Sequence, residues 1–252
     1  MNDLPPVSTS RADAETQTLV RSVGALDSGS ISAALDAEGF YVSPTIVDAD
    51  TCRRLAALYA SGPETFRSTV VMARYGFGRG EYKYFGRPLP GDVHALRTAL
   101  YERLAPIANG WAQRLGQAAD WPPEHRALAA RCAAAGQTRP TPLLLRYGAG
   151  DYNCLHQDLY GAIHFPLQAI VLLDEPSVDF DGGELILVEQ RPRRQSRPVV
   201  VPLRQGAIAV IPVKERPVAS ARGSSRVQMR HGVSLIRRGL RRTLGLIFHD
   251  AA

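Results

Sequence analysis

Leu155-His156-Gln157-Asp158 carries two potential metal ligands at the spacing of a β-strand. Side chains at positions i and i+2 of a strand point to the same face of the sheet. The His156 imidazole and the Asp158 carboxylate can therefore bind one ion together. A third ligand would have to come from another part of the chain, so this segment predicts a fold in which distant strands meet.

The sequence around this segment, from residue 138 onward, consists of short apolar runs separated by Gly, Pro and Asp. We predict eight strands there: 142–147, 153–158, 167–173, 184–189, 199–203, 207–213, 226–236 and 242–249. Strands of this length and spacing are typical of a sandwich or barrel, because βαβ units would need helices between them.

The part of the chain before residue 138 shows helical spacing. A long helix is predicted over about 93–115. Its apolar stripe consists of Leu96, Leu100, Leu104, Ile107 and Trp111. Such a stripe is most simply a face packed on a sheet. Helices that precede a run of strands indicate an α+β fold, with the N-terminal helices packed on one sheet.

The predicted domain organisation follows from these sequence patterns. Residues 1–30 are rich in Ser, Thr, Asp and Gly, and we interpret them as a flexible N-terminal tail that leaves room for a short amphipathic helix over 12–23. We expect one domain over 31–252, with helical support over 31–137 and a β core over 138–252.

A glycine-rich segment separates two further predicted strands, 69–75 and 82–85. It contains Gly76, Gly78 and Gly80. A glycine cluster can bind phosphate, but this one lacks the Lys-Ser/Thr pair of a P-loop and is not followed directly by a helix. We therefore predict a hairpin turn.

Composition excludes several classes of protein. No run of eighteen apolar residues is present, so the sequence predicts no membrane span. The N-terminus shows neither the basic start nor the apolar core of a signal peptide. The three cysteines, Cys52, Cys132 and Cys154, are odd in number and far apart, which favours reduced thiols in a cytoplasmic protein.

Charge is distributed unevenly along the chain. Residues 191–252 carry thirteen Arg and one Lys against two acidic residues, a net charge of +12, whereas the rest of the chain carries −6. Four of these arginines cluster in one loop: Arg191, Arg193, Arg194 and Arg197. This asymmetry indicates an anionic partner such as nucleic acid, or simply a basic solvated face.

The third metal ligand has three candidates among the histidines that follow Asp158. His164 is so close in sequence that it would need a tight hairpin to reach the same ion. His249 lies at the end of the last predicted strand. His231 lies in the penultimate strand, which in a jelly roll can lie beside the strand that carries His156. Two His and one carboxylate on one face, with the other positions open, form the facial triad of non-haem Fe(II) oxygenases.

A resemblance to a known family rests on these residues and on Arg241-x-Thr243. Together with the His156-x-Asp158 pair and His231, this pattern resembles the 2-oxoglutarate/Fe(II)-dependent dioxygenase superfamily. The resemblance implies a double-stranded β-helix (a cupin-like jelly roll), with Fe(II) bound by the two histidines and Asp158. It also implies 2-oxoglutarate as cosubstrate, with its far carboxylate on Arg241 and Thr243, and O₂ as the second cosubstrate.

Two finer likenesses concern the substrate. Tyr147 lies in a Tyr-x-x-Gly segment similar to one that precedes the metal motif in prolyl-hydroxylase-like and AlkB-like members, and its phenol is a candidate cosubstrate ligand. Leu155–Asp158 is similar to the AlkB-like nucleic-acid demethylases, whereas Gly182-Gly183-Glu184 resembles a turn of the prolyl-hydroxylase branch. As a whole, the chain resembles a bacterial 2-oxoglutarate oxygenase family named for action on damaged, alkylated DNA.

Three functions remain open on the sequence. The first is hydroxylation or oxidative demethylation of an alkylated nucleic acid, as in DNA repair, with release of succinate and CO₂. The second is hydroxylation of a protein side chain, and the third is a non-catalytic, cupin-like metal sensor. The arginine-rich loop favours the first because its guanidinium groups can meet phosphates.

Overall fold

The computed structural model describes residues 11–220 and 223–252. The helices are α1 Arg11–Gly24, α2 Ser28–Ala37, α3 Ala49–Ala57, α4 Gly91–Arg114 and α5 His125–Ala134. The strands are β1 Tyr41–Val42, β2 Phe66–Val71, β3 Gly78–Arg79, β4 Glu81–Phe85, β5 Leu143–Tyr147, β6 Tyr152–His156, β7 Leu167–Leu172, β8 Phe180–Gly182, β9 Leu185–Gln190, β10 Arg197–Val201, β11 Ile208–Pro212, β12 Glu215–Ser220, β13 Gly223–Val233, β14 Ile236–Gly239 and β15 Arg241–Ile247.

Two antiparallel sheets form the β core. One has the strand order β1-β11-β7-β15-β5-β4-β2, and the other has the order β10-β9-β13-β6-β3 with β12 paired to β13. Strands distant in the sequence therefore lie side by side, as they do in a double-stranded β-helix. The predicted α+β jelly roll is confirmed, and all eight predicted C-terminal strands are present.

The helices cover the outer face of the seven-stranded sheet. The predicted stripe on α4 is buried against outward-facing strand residues such as Leu144, Val171 and Leu244. The alternate residues of the same strands, such as Leu143 on β5 and Thr243 on β15, point inward and line a cavity between the sheets. Period-two alternation thus separates the structural core from the functional cavity.

The expected flexible tail is wrong for residues 11–30, while residues 1–10 lie outside the described residues. Helix α1 packs on α4, with Leu19 and Val23 buried in the main core. Burial of the apolar face predicted for a short amphipathic helix outweighs the polar composition of the rest of the segment.

The glycine-rich segment is more than the predicted hairpin turn. Strands β2 and β4 pair with each other, but β3 leaves that sheet and pairs with β6 of the other one. Gly78 allows this because a Cβ there would lie 2.4 Å from the carbonyl oxygen of Tyr152. The segment therefore bridges the two sheets next to the strand that carries His156.

Candidate metal centre and active-site cavity

Three side chains predicted to bind metal lie together at the inner face of the smaller sheet. His231 on β13 is the direct register partner of His156 on β6, and Asp158 follows β6 by two residues. One ligand atom from each lies within 4.8 Å of the others. Sheet pairing thus joins residues 75 positions apart, and metal binding by the three side chains stays a prediction.

Hydrogen-bond contacts define the surroundings of the two histidines. His156 Nδ1 lies 2.8 Å from the carbonyl oxygen of Cys154, which can only accept a hydrogen bond, so Nδ1 carries the proton and Nε2 is left free. Burial and the neighbouring His231 lower the pKa of His156, which favours the neutral, metal-binding form. The amide nitrogen of Gln168 lies 3.2 Å from His231 Nε2.

Asp158 is held as a carboxylate. Burial raises its pKa, but hydrogen bonding and charge from His231, the charge of His156 and a bond from Tyr160 outweigh burial and keep the pKa well below its usual range. The Tyr160 hydroxyl donates to Oδ1 at 2.7 Å, whereas Oδ2 lies 3.2 Å from His231 Nε2. One oxygen is therefore oriented by the protein and the other faces the histidine.

A cavity of about 320 Å³ opens beside these ligands. Its walls are mainly apolar, and its far end is lined by Tyr147, Arg241 and Thr243. Gly245 lies between this end and the metal side on the inner face of β15, and a Cβ there would lie 2.7 Å from Leu143 Cδ2. The missing side chain keeps the floor of the cavity open.

Arg241 gives the cavity a buried positive charge. Its side chain is 2 % exposed, and its Nε and Nη1 atoms have no hydrogen-bond partner within residues 11–220 and 223–252. Its guanidinium carbon lies 5.7 Å from the centre of the Tyr147 ring and 5.9 Å from that of Phe180. A buried cation without a partner is costly, so the site fits an anionic ligand such as the far carboxylate of 2-oxoglutarate.

Tyr147 and Thr243 lie where such a carboxylate would bind. Tyr147 is the register partner of Arg241, and Thr243 follows Arg241 by two residues on the same inward face. The Tyr147 hydroxyl accepts a hydrogen bond from Asn153 at 3.2 Å, so its proton is free to donate to a ligand. Their contact with cosubstrate stays a prediction.

The Gly182-Gly183 turn supports Arg241. Both residues have positive φ, 77° and 66°. A Cβ on Gly183 would lie 2.2 Å from Ile236 Cδ1 and 2.8 Å from Arg241 Cδ. The turn therefore serves the packing of Arg241, and it gives no separate support to a protein substrate.

The other two candidate histidines lie away from the metal group. His164 lines a different cavity, beside Trp111. His249 is fully buried, accepts a bond from the Phe165 backbone and lies outside the metal group. Arg242 forms a bidentate pair with Asp174, because the turn after β7 returns to its strand.

The arginine-rich loop is partly neutralised. Arg191 and Arg197 pair with Glu189, a buried carboxylate that also binds Arg216. Arg193 and Arg194 are exposed and lack a salt bridge among the described residues. Two guanidinium groups of the loop are thus free to meet an anion.

Sequence reasoning missed the residues that support the ligands. Tyr160, Gln168, Asn153 and Gly245 all line the cavity. Tyr160 lies two residues after Asp158, and that spacing is the one signal by which it could have been found. The others reach the site through sheet register, which local pattern does not reveal.

The chain is similar to a described protein family and to an individual bacterial protein. A family model described as an oxygenase catalysing oxidative methylation of damaged DNA matches residues 80–251. An uncharacterized protein of Mycobacterium tuberculosis, matched in two strains, is 49 % identical over 189 residues, which cover 74 % of this chain and 81 % of the relative.

Solved structures share the fold at low identity. A prolyl-4-hydroxylase of Pseudomonas putida superposes with a TM-score of 0.52 at 16 % identity, covering 90 % of this chain and all of the other. An oxidoreductase of the 2OG-Fe(II) oxygenase family from Burkholderia pseudomallei gives 0.51 at 16 % identity, covering 90 % and 94 %. Within residues 11–220 and 223–252, no helix is both long and apolar enough to cross a membrane.

Proposed function

The chain belongs to the oxygenase family whose model matches residues 80–251, and we propose that it is an Fe(II)- and 2-oxoglutarate-dependent dioxygenase that acts on alkylated nucleic acid. One observation carries the chemistry. Arg241 presents unpaired guanidinium nitrogens to the same cavity that holds the His156, Asp158 and His231 ligand atoms. A metal-binding and an anion-binding group thus face one enclosed space.

Each residue has a defined role in this proposal. His156, Asp158 and His231 would hold Fe(II) through one ligand atom each. Arg241 binds the far carboxylate of 2-oxoglutarate through its fork of donors, assisted by Thr243.

Neighbouring side chains and the fold position the reactants. The Tyr147 hydroxyl donates a further hydrogen bond to that carboxylate. Tyr160 holds one oxygen of Asp158 so that the other faces the metal. When bound, the iron with 2-oxoglutarate and O₂ supplies oxidising power, with succinate and CO₂ as products. The protein orients the reactants and excludes water by its apolar cavity wall.

Nucleic acid is the proposed substrate on two grounds. The family is described as acting on damaged DNA, and the two free arginines of the loop, Arg193 and Arg194, offer contacts for phosphate. The loop follows β9, which pairs directly with the His231 strand β13, and it begins next to Gln190, the register partner of Gln228. A protein substrate is the rival outcome.

Succinate release tests the proposal. With 2-oxoglutarate, O₂ and methylated oligonucleotides supplied, we expect Fe(II)-loaded protein to release succinate, and His156→Ala or Asp158→Ala to abolish this turnover. His164→Ala is the matched control, since His164 lies in another cavity and should leave turnover intact. Full activity of either ligand variant would contradict the metal assignment. Turnover with peptides alone would contradict the nucleic-acid assignment.

A cytoplasmic location is also part of this proposal. Cys52, Cys132 and Cys154 are all free thiols, and Cys154 is exposed. Free and exposed thiols are typical of a reducing compartment.

A further inference from the structure

Two exposed aromatic rings lie at the mouth of the active-site cavity. They belong to residues 74–79, Arg-Tyr-Gly-Phe-Gly-Arg, which we name the aromatic rim. Tyr75 is 62 % exposed and Phe77 is 47 % exposed. Their ring centroids are 5.5 Å apart, with an angle of 21° between the planes. Neighbouring aromatic rings exposed in a near-parallel stack indicate a binding surface.

Backbone hydrogen bonds to β6, the strand that carries His156, hold the aromatic rim in place. The Phe77 carbonyl accepts a hydrogen bond of 2.9 Å from the backbone of Cys154, two residues before His156. Gly78 pairs with Asn153 across the β3–β6 ladder, and Phe77 itself lines the cavity. The rings therefore have a defined position relative to the metal ligands.

The same segment carries positive charge. Arg74 and Arg79 flank the two rings in sequence, and both are exposed. The salt bridges of the described residues leave both guanidinium groups without a carboxylate. The rim thus combines flat apolar faces with free cations, which is the combination that binds single-stranded nucleic acid by base stacking and phosphate contact.

We propose that the aromatic rim binds single-stranded nucleic acid, with a base next to the target stacked on Tyr75 or Phe77 and the adjoining phosphates on Arg74 and Arg79. The inference rests on the proposed function and specifies its substrate. A base can stack face-on against these rings only when it is unpaired from its own helix. The rim therefore selects single strands, or bases already extruded from a duplex.

Fluorescence anisotropy with a short labelled thymine oligonucleotide tests the rings, in EDTA so that no turnover occurs. We expect Tyr75→Ala and Phe77→Ala each to weaken binding about 10-fold, the usual loss for one stacked base. Tyr75→Phe should bind like wild type, because the ring is retained. Val178→Ala is the control, since Val178 is a strongly exposed apolar residue outside the rim that does not line the cavity. The duplex form of the oligonucleotide should bind more weakly than the single strand.

The salt dependence separates stacking from charge. Arg74→Ala and Arg79→Ala should each reduce the slope of log affinity against log salt by about 0.7, the value for one phosphate contact with a single strand. The ring variants should lower affinity and leave that slope unchanged. Equal slopes in wild type and both arginine variants would contradict the phosphate contacts.

Failure of the rim can be told apart from failure of the proposed function. Unchanged DNA affinity in a Tyr75→Ala/Phe77→Ala double variant would overturn only the proposal that the rim binds nucleic acid. No DNA affinity in the wild type, or ring-dependent binding of a proline-rich peptide in its place, would overturn both the rim and the nucleic-acid substrate. The proposed chemistry would still stand in these cases if 2-oxoglutarate bound the Mn(II)-loaded protein.

Discussion

Strand β15 begins at Arg241 and ends next to Arg97, and both arginine side chains are 2 % exposed. Arg97, on α4, donates to the carbonyls of Ile247 and Phe248 and pairs with Asp250 at 2.8 Å. Arg241 has two nitrogens without a hydrogen-bond partner in the part of the chain that the structure describes. Two equally buried arginines thus differ in their partners: the protein itself supplies hydrogen-bond acceptors for Arg97, whereas Arg241 keeps donors that are free to bind a ligand.

The difference teaches how to recognise a ligand site. A buried arginine whose donors are all used joins parts of the chain, and here it ties the C-terminal segment to a helix. A buried arginine with free donors is costly in the fold without ligand, and that cost is offset when an anion binds. Arg97 and Arg241 therefore differ in their hydrogen-bond partners and not in their burial.

Replacing Arg241 should produce the largest effect. We expect Arg241→Met to lower affinity for 2-oxoglutarate at least about 100-fold, since two charge-assisted hydrogen bonds contribute about 1.5–3 kcal/mol each. The free energy of unfolding should stay the same or rise, because an unpaired buried charge is removed. Calorimetric titration of Mn(II)-loaded protein measures the affinity, and urea denaturation measures the stability.

Arg242→Met is the control for this prediction. Arg242 already pairs with Asp174 and faces away from the cavity, so its loss should leave 2-oxoglutarate affinity unchanged. A large loss of affinity in this variant, with none in Arg241→Met, would move the carboxylate site to the neighbouring arginine.

Replacing Arg97 should have the opposite profile. We expect Arg97→Met to reduce the free energy of unfolding by about 3 kcal/mol, because Asp250 loses a buried partner. Affinity for 2-oxoglutarate should be retained in the folded protein, since Arg97 does not line the cavity. Urea denaturation of the two methionine variants side by side gives the comparison, and equal stabilities would show that the two arginines are not used differently.

The smallest expected effect is a pH dependence in the Arg97 region. Burial, followed by the charge of Arg97, lowers the pKa of His125 to about 4, and its Nε2 lies 2.9 Å from the Phe248 carbonyl. The folded protein keeps His125 neutral, whereas the unfolded chain takes up a proton near pH 6.5. This stability is present above that pH and is lost as the pH falls towards 4, by about 2–3 kcal/mol.

His125→Gln tests this pH dependence. Between about pH 7 and pH 4.5 the variant should lose less stability in urea than the wild type, because it has no imidazole to protonate. Arg97→Met should also show a weaker dependence, since the cation that opposes protonation is gone. A wild type and a His125→Gln variant with parallel pH profiles would exclude His125 as the source.

Much of the fold could be predicted from pattern, and the exceptions have a common cause. The eight strands with apolar alternation were found, whereas the short strands β8, β12 and β14 of the same region were missed. Strand β12 contains Pro217 and pairs with β13 alone, and β14 contains Arg237 and Arg238. Such edge strands are held by backbone hydrogen bonds to one partner, so they carry little hydrophobic signal.

By itself, the sequence determined which groups are available for chemistry. The i, i+2 spacing of His156 and Asp158 and that of Arg241 and Thr243 place each pair on one strand face, because alternation in a strand is local geometry. The apolar stripe of α4 likewise follows from helical spacing alone. These features need no knowledge of distant contacts.

The tertiary structure decided which of these groups meet and which stay unpaired. The register between β6 and β13 places His231, and not His164 or His249, beside His156. The course of the strands gives Arg97 hydrogen-bond partners, whereas two nitrogens of Arg241 have none among the described residues. The bridge between the sheets brought Phe77 to the cavity mouth. These outcomes depend on long-range pairing, in which a shift of one residue would turn every side chain to the other face.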